Sequence, residues 1–442
     1  MRNRMNLYWE PEIEQLPGEQ LRQLQLERLR TTVERAGMSP FYRQRFADGG
    51  IRAEDLRSLD DIRRLPFTTK DDLRGHFPYG FLTVPKEETV RLHCSSGTTG
   101  NPTVIFHDRH DLASWANLVA RSLYCAGVRP ADVFQNICGY GLFTGGLGFQ
   151  YGAERLGALA IPAAAGNSRR QIRLMQDFGT TVIHTIPSYL FRLHGTFLEL
   201  GLDPTRDTNL RLMVIGAEPH TDGQRRRIEA LFGVSAFNSY GLSEMNGPGV
   251  AFECREQNGL HVWEDCFVIE VVNPQTLEPV PDGEEGELVM TTLDRRAMPL
   301  LRYRTRDLTR ILPGPCPCGR SHRRLERIAG RTDDMFIIKG CNVFPMQIEQ
   351  VLMRFAEVGS DYLILLESRT DRDEMLIEVE VHEDWFTGEM ADLENLSRRI
   401  AHQIRDEILV TPEIRLVEPG TLPRSEGKAV RVADRRGKQE DI

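Results

Sequence analysis

Three features of the sequence predict an α/β protein whose large N-terminal domain is followed by a small α+β C-terminal domain. Between residues 133 and 238 short apolar runs alternate with helical patterns. That alternation marks mostly parallel sheet covered on both faces. From about residue 250 strand-length runs are separated by turns such as PVPDGEEGE, which predicts a β-rich part over 250–330. Near GRTDD (330–334) the pattern changes again, and the rest of the chain has the length of a compact unit. The predicted domains are therefore 1–332 and 333–442.

The elements are taken in chain order. Residues 19–36 predict a helix, with Leu21, Leu24, Leu29 and Val33 near helical spacing and Gly37 as its stop. PFTTKDDL (66–73) carries a helix cap at Thr68 or Thr69. A strand over 89–94 leads into the loop SSGTTGNPT (95–103), and a helix comes next over 111–126. Strands at 133–138, 181–186, 212–215 and 234–238 alternate with helices at 168–178, from 187, and at 222–232. GYGLFTGGLG (139–148) reads as a glycine-rich loop. Strands at 268–272, 286–292 and 309–312 form the β-rich part. The last domain reads helix 346–355, strands 362–366 and 376–381, helix 392–408 and strand 413–417. Ligands of such sheets lie beyond the carboxyl ends of the strands. The polar loops SSGTTGNPT, GYGLFTGG, GAEP (216–219) and NSYGLSE (238–244) are expected there.

A chain of 442 residues with 40% hydrophobic and 27% charged residues is an ordinary globular composition. Its formal charge of -9 supplies no general field for nucleic acid or an anionic membrane surface. The first residues lack the apolar core of a signal peptide, and LGALAIPAAAG is cut short of a membrane span by Pro162. Eight scattered cysteines are no disulfide scaffold in a chain this long. The expectation is a cytoplasmic protein with reduced thiols.

Several strings suit phosphate and nucleotide chemistry. In SSGTTGNPT, glycines allow close backbone approach, and hydroxyls with backbone N–H groups bind phosphate oxygens. No GK[ST] comes after it, so it is not a Walker loop. In NSYGLSE an Asn amide can read a base edge, a Tyr can stack on a purine, and Glu244 can hold Mg²⁺. In YRTRDL, Asp307 can accept ribose hydroxyls. GRTDDMFIIKG and LPRSEGKAVR place Arg331, Asp333, Lys339, Gly340 and Lys428 near a boundary and the C-terminus. Taken singly, each string also reads as a turn, a charge run, a linker or a basic tail.

Together and in this order, SSGTTGNPT, GYGLFTGGLG, YGLSEMNGPGV, YRTRDLTR, GRTDDMFIIKG and LPRSEGKAVR resemble the adenylate-forming acyl-CoA synthetases, with greatest likeness to phenylacetate–coenzyme A ligases. The likeness runs from about residue 20 to 435. It implies an acid–thiol ligase that makes acyl-AMP from ATP and a carboxylate with Mg²⁺, then an acyl-CoA. By motif, Ser95, Ser96, Gly97, Thr98, Thr99 and Gly100 would cradle the β- and γ-phosphates. Gly216, Ala217, Glu218, Pro219, Asn238, Ser239, Tyr240 and Gly241 would line the nucleotide. Asp307 and Arg331 would hold the ribose, Glu244 the Mg²⁺, and Lys428 would act in adenylation. The small domain would be mobile about Asp333, and Lys339 with Gly340 would serve the coenzyme A step. The family loop often carries Lys where this chain has Asn101, which leaves open how pyrophosphate is held; Lys70 and nearby arginines are substitutes.

The acid is expected to be aromatic, an aryl or arylacetic acid, in a pocket near Tyr140, Gly141, Phe143, Gly145 and Gly146, closed by Tyr189. The resemblance suggests a homodimer. Other acceptors remain open: a carrier-protein thiol or a deazaflavin cofactor. A nucleotide-binding protein without turnover is a further alternative, favoured only by Asn101.

The cysteines suggest a second site. Cys316 and Cys318 form a tight CPCG turn, and Cys254 and His261 flank a glycine-containing loop. Three thiolates and an imidazole could complete a tetrahedral structural zinc shell. Cys266 and His322 are rival ligands.

Overall fold

The structure, a computed structural model, describes residues 7–94, 102–339, 341–369, 372–382, 385, 390–423 and 431–436. The chain divides into two compact units. The first comprises Met1–Ile186, Thr196–Ala217 and Phe232–Arg327, and the second Pro187–Gly195, Glu218–Leu231 and Ile328–Ile442.

The alternating stretch builds the main sheet of the first unit, nine-stranded among the described residues. Strands Leu159–Ile161, Val133–Asn136, Val182–Thr185, Leu212–Gly216 and Ser235–Leu242 lie side by side and parallel. The central strands are buried along their whole length, as at Leu212, Met213, Val214 and Ile215, which is why the sequence shows apolar runs rather than alternation there.

Only this half of the sheet is parallel. Gly247–Glu253 folds back antiparallel on Ser235–Leu242, and Leu260–Val262, Arg324–Leu325 and Ile311–Leu312 continue antiparallel. The reversal occurs at Asn246 and Gly247, whose φ values of 75° and 92° are left-handed, so the chain returns as a hairpin without a crossover helix. NSYGL is consequently strand rather than loop, and only Ser243–Met245 forms a 3-10 turn.

Two further expectations change. Arg91–Cys94 does not join the parallel sheet; it pairs antiparallel with Val104–His107 in a separate ribbon. The run 139–148 is not loop throughout, because helix Thr144–Leu156 begins inside it. Its glycines allow close helix packing. A Cβ on Gly148 would lie 2.5 Å from Trp115, and one on Gly152 2.3 Å from Val119, both on helix Arg109–Ala126.

The β-rich part contains antiparallel strands Phe267–Val272, Gly286–Thr292 and Tyr303–Thr309. The second unit has its own core. Strands Glu413–Val417, Arg372–Val381, Val358–Arg369 and Val432–Asp434 form a mixed sheet in that order. Helix Met390–Ile408 buries Leu396, Ile400, Ile404 and Ile408, a stripe at i, i+4 spacing.

Candidate active site and metal centre

The hairpin after Ser235–Leu242 gathers several of the expected groups. Asn238 and Ser239 are buried, and the Asn238 N–H donates to Glu253 Oε2 at 2.7 Å. The Tyr240 hydroxyl donates to Asp307 Oδ2 at 2.6 Å, joining residues 67 apart in sequence. Glu244 is 8% exposed, and its Oε1 accepts from the Tyr303 hydroxyl at 3.2 Å. Tyr303 stands in the string YRTRDL but was not expected at the site; nothing in the string separates it from an ordinary strand residue.

Gly216 pairs with Ser239 across adjacent parallel strands, and a Cβ there would lie 2.4 Å from the Ser239 carbonyl oxygen. Ala217 comes next with a left-handed φ of 66°. Gly241 is tighter still, since its Cβ would lie 2.0 Å from the Gly247 carbonyl oxygen. Gly241→Ala is therefore expected to part the hairpin and cost about 1–3 kcal/mol, as overpacking does. Denaturant unfolding compared with wild type measures this, and an unchanged midpoint would contradict it.

In the run expected to form the acyl pocket, Tyr140 is half-buried. Its hydroxyl donates to Gln150 Oε1 at 2.9 Å and accepts from Asn136 Nδ2 at 2.9 Å. Burial pushes this phenol up to about 12. Phe143 is 58% exposed, just ahead of helix Thr144–Leu156. Gly141 and Gly145 face open space, whereas a Cβ on Gly146 would lie 2.5 Å from the Gly139 carbonyl oxygen. Gly146 thus serves backbone packing.

Other expected residues belong to the second unit. The Glu218 carboxylate accepts from the Ser188 N–H and hydroxyl. Pro219 is there too, and Tyr189 is half-buried on helix Pro187–Glu199. Arg331 donates Nε and Nη2 to the Asp333 carboxylate at 2.8 and 3.0 Å. Lys339 is exposed at the end of strand Phe336–Ile338 with a left-handed φ of 48°. Ser95, Ser96, Gly97, Thr98, Thr99, Gly100, Gly340 and Lys428 lie outside the described residues.

The cysteine and histidine ligands converge. Ligand atoms of Cys254, His261, Cys316 and Cys318 all lie within 4.8 Å of one another. Cys254 Sγ and Cys316 Sγ are 3.7 Å apart, and Cys318 Sγ is 3.3 Å from His261 Nε2. Tetrahedral zinc bond lengths give roughly 3.8 Å between two sulfurs and roughly 3.5 Å from sulfur to nitrogen. His261 Nδ1 donates to the His322 carbonyl oxygen at 3.0 Å, which leaves Nε2 for a metal.

The rival ligands are engaged elsewhere. His322 Nδ1 accepts from the Glu264 N–H, and its Nε2 donates to the Ile13 carbonyl. Cys266 lies against Asp265 and Arg28. The N-terminal segment clasps this cysteine turn: the Tyr8 hydroxyl donates to the Cys318 carbonyl at 2.9 Å, and Arg320 pairs with Glu14 at 2.7 Å. Their separation in sequence hid that clasp.

A family model described as AMP-binding enzyme matches residues 55–293, and one described as AMP-binding enzyme C-terminal domain matches 340–436. A phenylacetate-coenzyme A ligase of Thermus thermophilus is 46% identical, covering 97% of this chain and 100% of that protein. One of Escherichia coli is 44% identical, covering 96% and 97%. Among solved structures, 2-hydroxyisobutyryl-CoA ligase, in the postadenylation state with 2-HIB-AMP, superposes with a TM-score of 0.92 at 31% identity, covering 98% of this chain and 94% of its own. Among the described residues no helix is long and apolar enough to cross a membrane.

Proposed function

The chain belongs to the phenylacetate–coenzyme A ligase family of AMP-binding enzymes, and we propose that its acid substrate is an aryl or arylacetic acid. It is an AMP-forming acid–thiol ligase. The acid's carboxylate attacks the α-phosphorus of ATP, and pyrophosphate leaves. Coenzyme A thiolate then attacks the acyl carbon, and AMP leaves.

The observation that carries the site assignment is the Tyr240–Asp307 hydrogen bond on the hairpin that also bears Glu244. Tyr240, with Asn238 and the main chain at Gly216 and Ala217, suits the adenine, Ser239 and Gly241 lie on the same strand as Tyr240, and Glu218 and Pro219 are assigned to the nucleotide by their motif alone. Asp307, its carboxylate buried and oriented by Tyr240, suits the ribose, and Arg331 is assigned to it by its motif alone. Mg²⁺ held by Glu244 would neutralise charge on the phosphates. Ser95, Ser96, Gly97, Thr98, Thr99 and Gly100 would hold the leaving pyrophosphate through hydroxyls and main-chain N–H groups. Lys428 places an ammonium at the α-phosphate during the first step. Asp333 is the pivot between the steps, and Lys339 with Gly340 serves the second. We place the reaction in the cytoplasm.

We assign a structural zinc to Cys254, His261, Cys316 and Cys318. The spacings of these four side chains suit thiolate and imidazole ligands, and four protein ligands leave no open position for substrate.

A panel of aromatic and aliphatic acids with ATP and coenzyme A, read by mass spectrometry, tests the substrate class. Phenylacetate or another aryl acid is expected to yield its acyl-CoA, and a long-chain fatty acid is not. Comparable turnover of both would refute the small aromatic pocket. Adenylate without thioester in the same reactions would move the acceptor away from coenzyme A.

A further inference from the structure

Arg295 is a buried cation that the nucleotide assignment does not use. It lies between strands Gly286–Thr292 and Tyr303–Thr309 and is 1% exposed. Its Nη1 donates to the backbone carbonyl of Glu244, while Nε and Nη2 have no partner among the described residues. Burial lowers its pKa to about 10, opposed by Asp111 and Glu244, so the guanidinium stays charged at neutral pH.

The segment around it is fixed from the other side. Asp111 accepts from the main-chain N–H groups of Arg296 and Ala297 at 2.6 and 2.9 Å. Nearby, His107 stacks on Trp115, and both of its ring nitrogens lack partners among the described residues. Burial holds His107 well below the usual imidazole range and so neutral, and Arg295 adds to this shift. No carboxylate lies in hydrogen-bond contact with the Arg295 guanidinium among the described residues.

An arginine in this place is costly. Buried ions and open donors destabilise a fold, and an apolar side chain of similar volume often does better. The contact it makes is with the three-residue turn Ser243–Met245, where Glu244 is otherwise tied through its side chain to Tyr303. One tether acts on the carboxylate and one on the main chain, and together they set both position and orientation of that carboxylate.

We infer that Arg295 is a positioning residue for the metal-dependent first step, holding the main chain of the turn that presents Glu244. The inference rests on the assignment of Glu244 to Mg²⁺. Residues that orient a metal ligand typically change metal affinity when removed, whereas a merely structural arginine would lower rate and stability without moving the metal requirement.

The test is pyrophosphate exchange as a function of free Mg²⁺, together with Mn²⁺ binding to the ATP complex read by electron paramagnetic resonance, for wild type, Arg295→Met, Arg295→Lys and Glu244→Gln. Arg295→Met is expected to raise the half-saturating Mg²⁺ by ~10-fold or more, with the KM for the acid within about twofold of wild type. Arg295→Lys keeps the charge but loses the fork, and is expected to fall between the two. A lower rate at every Mg²⁺ concentration, with an unmoved midpoint, overturns the inference while a shifted Glu244→Gln leaves the metal assignment standing. An unmoved Glu244→Gln overturns both. Should Arg295→Met not fold, Arg295→Lys decides by the same midpoint.

Discussion

Replacing Lys428 by alanine is expected to slow acyl-adenylate formation by about 10²–10³-fold, the usual consequence of removing one charge-stabilising donor from a transition state. Two anions, a carboxylate and a triphosphate, must approach one another in that step. An ammonium in a site shielded from water lowers the cost of that approach more than it could in bulk solvent. The second step attacks an acyl carbon and expels AMP, so it does not share this demand. Thioester formation from supplied acyl-AMP should therefore stay within about threefold of wild type. Lys428→Arg keeps a positive charge but replaces a compact ammonium by a broad planar fork, so a partial loss is expected. Single-turnover measurements of the two half-reactions separate these outcomes. Full adenylation by the alanine variant would remove the lysine from the mechanism.

The second large effect concerns the proposed zinc site. Cys254→Ser is expected to lower bound zinc from one per chain to well under one, and to destabilise the first unit by about 3–5 kcal/mol, in the range that marks loss of a metal or network. Structural zinc contributes about 10–16 kcal/mol in peptides with no other core. Here Cys254 and Cys316 are themselves part of a large apolar cluster, which survives release of the ion and so reduces the loss. Elemental analysis of purified protein reads the first quantity and denaturant unfolding the second. Wild-type protein isolated with no stoichiometric metal would dispose of the assignment. Because thiols must lose their protons to bind, chelators should strip the ion more readily as pH falls.

The parallel half of the main sheet was legible because buried strands on both faces leave uninterrupted apolar runs, as at Leu212 to Ile215. The antiparallel half was not. Its turning point rests on left-handed backbone at Asn246 and Gly247, and the string YGLSEMNGPGV reads equally well as loop. Likewise a glycine run usually signals a turn, but Gly148 and Gly152 are there because two helices approach too closely for side chains. The grouping of Cys254, His261, Cys316 and Cys318 was read from cysteine spacing, and what the sequence left open was the exclusion of the rival His322. It depends on which ring nitrogens are occupied by main-chain partners, Ile13 and Glu264 for His322. Arg295 left no trace at all: in DRRAMPLL it looks like one more surface charge, and only its 1% exposure reveals otherwise.

The clasp between Glu14 and Arg320 carries a consequence for how the molecule is made. Both side chains are sealed from solvent, at 0% and 3% exposed, and 306 residues separate them. On a ribosome adding about 5–20 residues per second, helix Pro11–Glu14 waits roughly 15–60 s for its seat to emerge. Through that interval its carboxylate stays hydrated and its apolar neighbours stay uncovered, a window in which a chaperone could dock. Glu14 thus reaches its final place only after most of the first unit has been made.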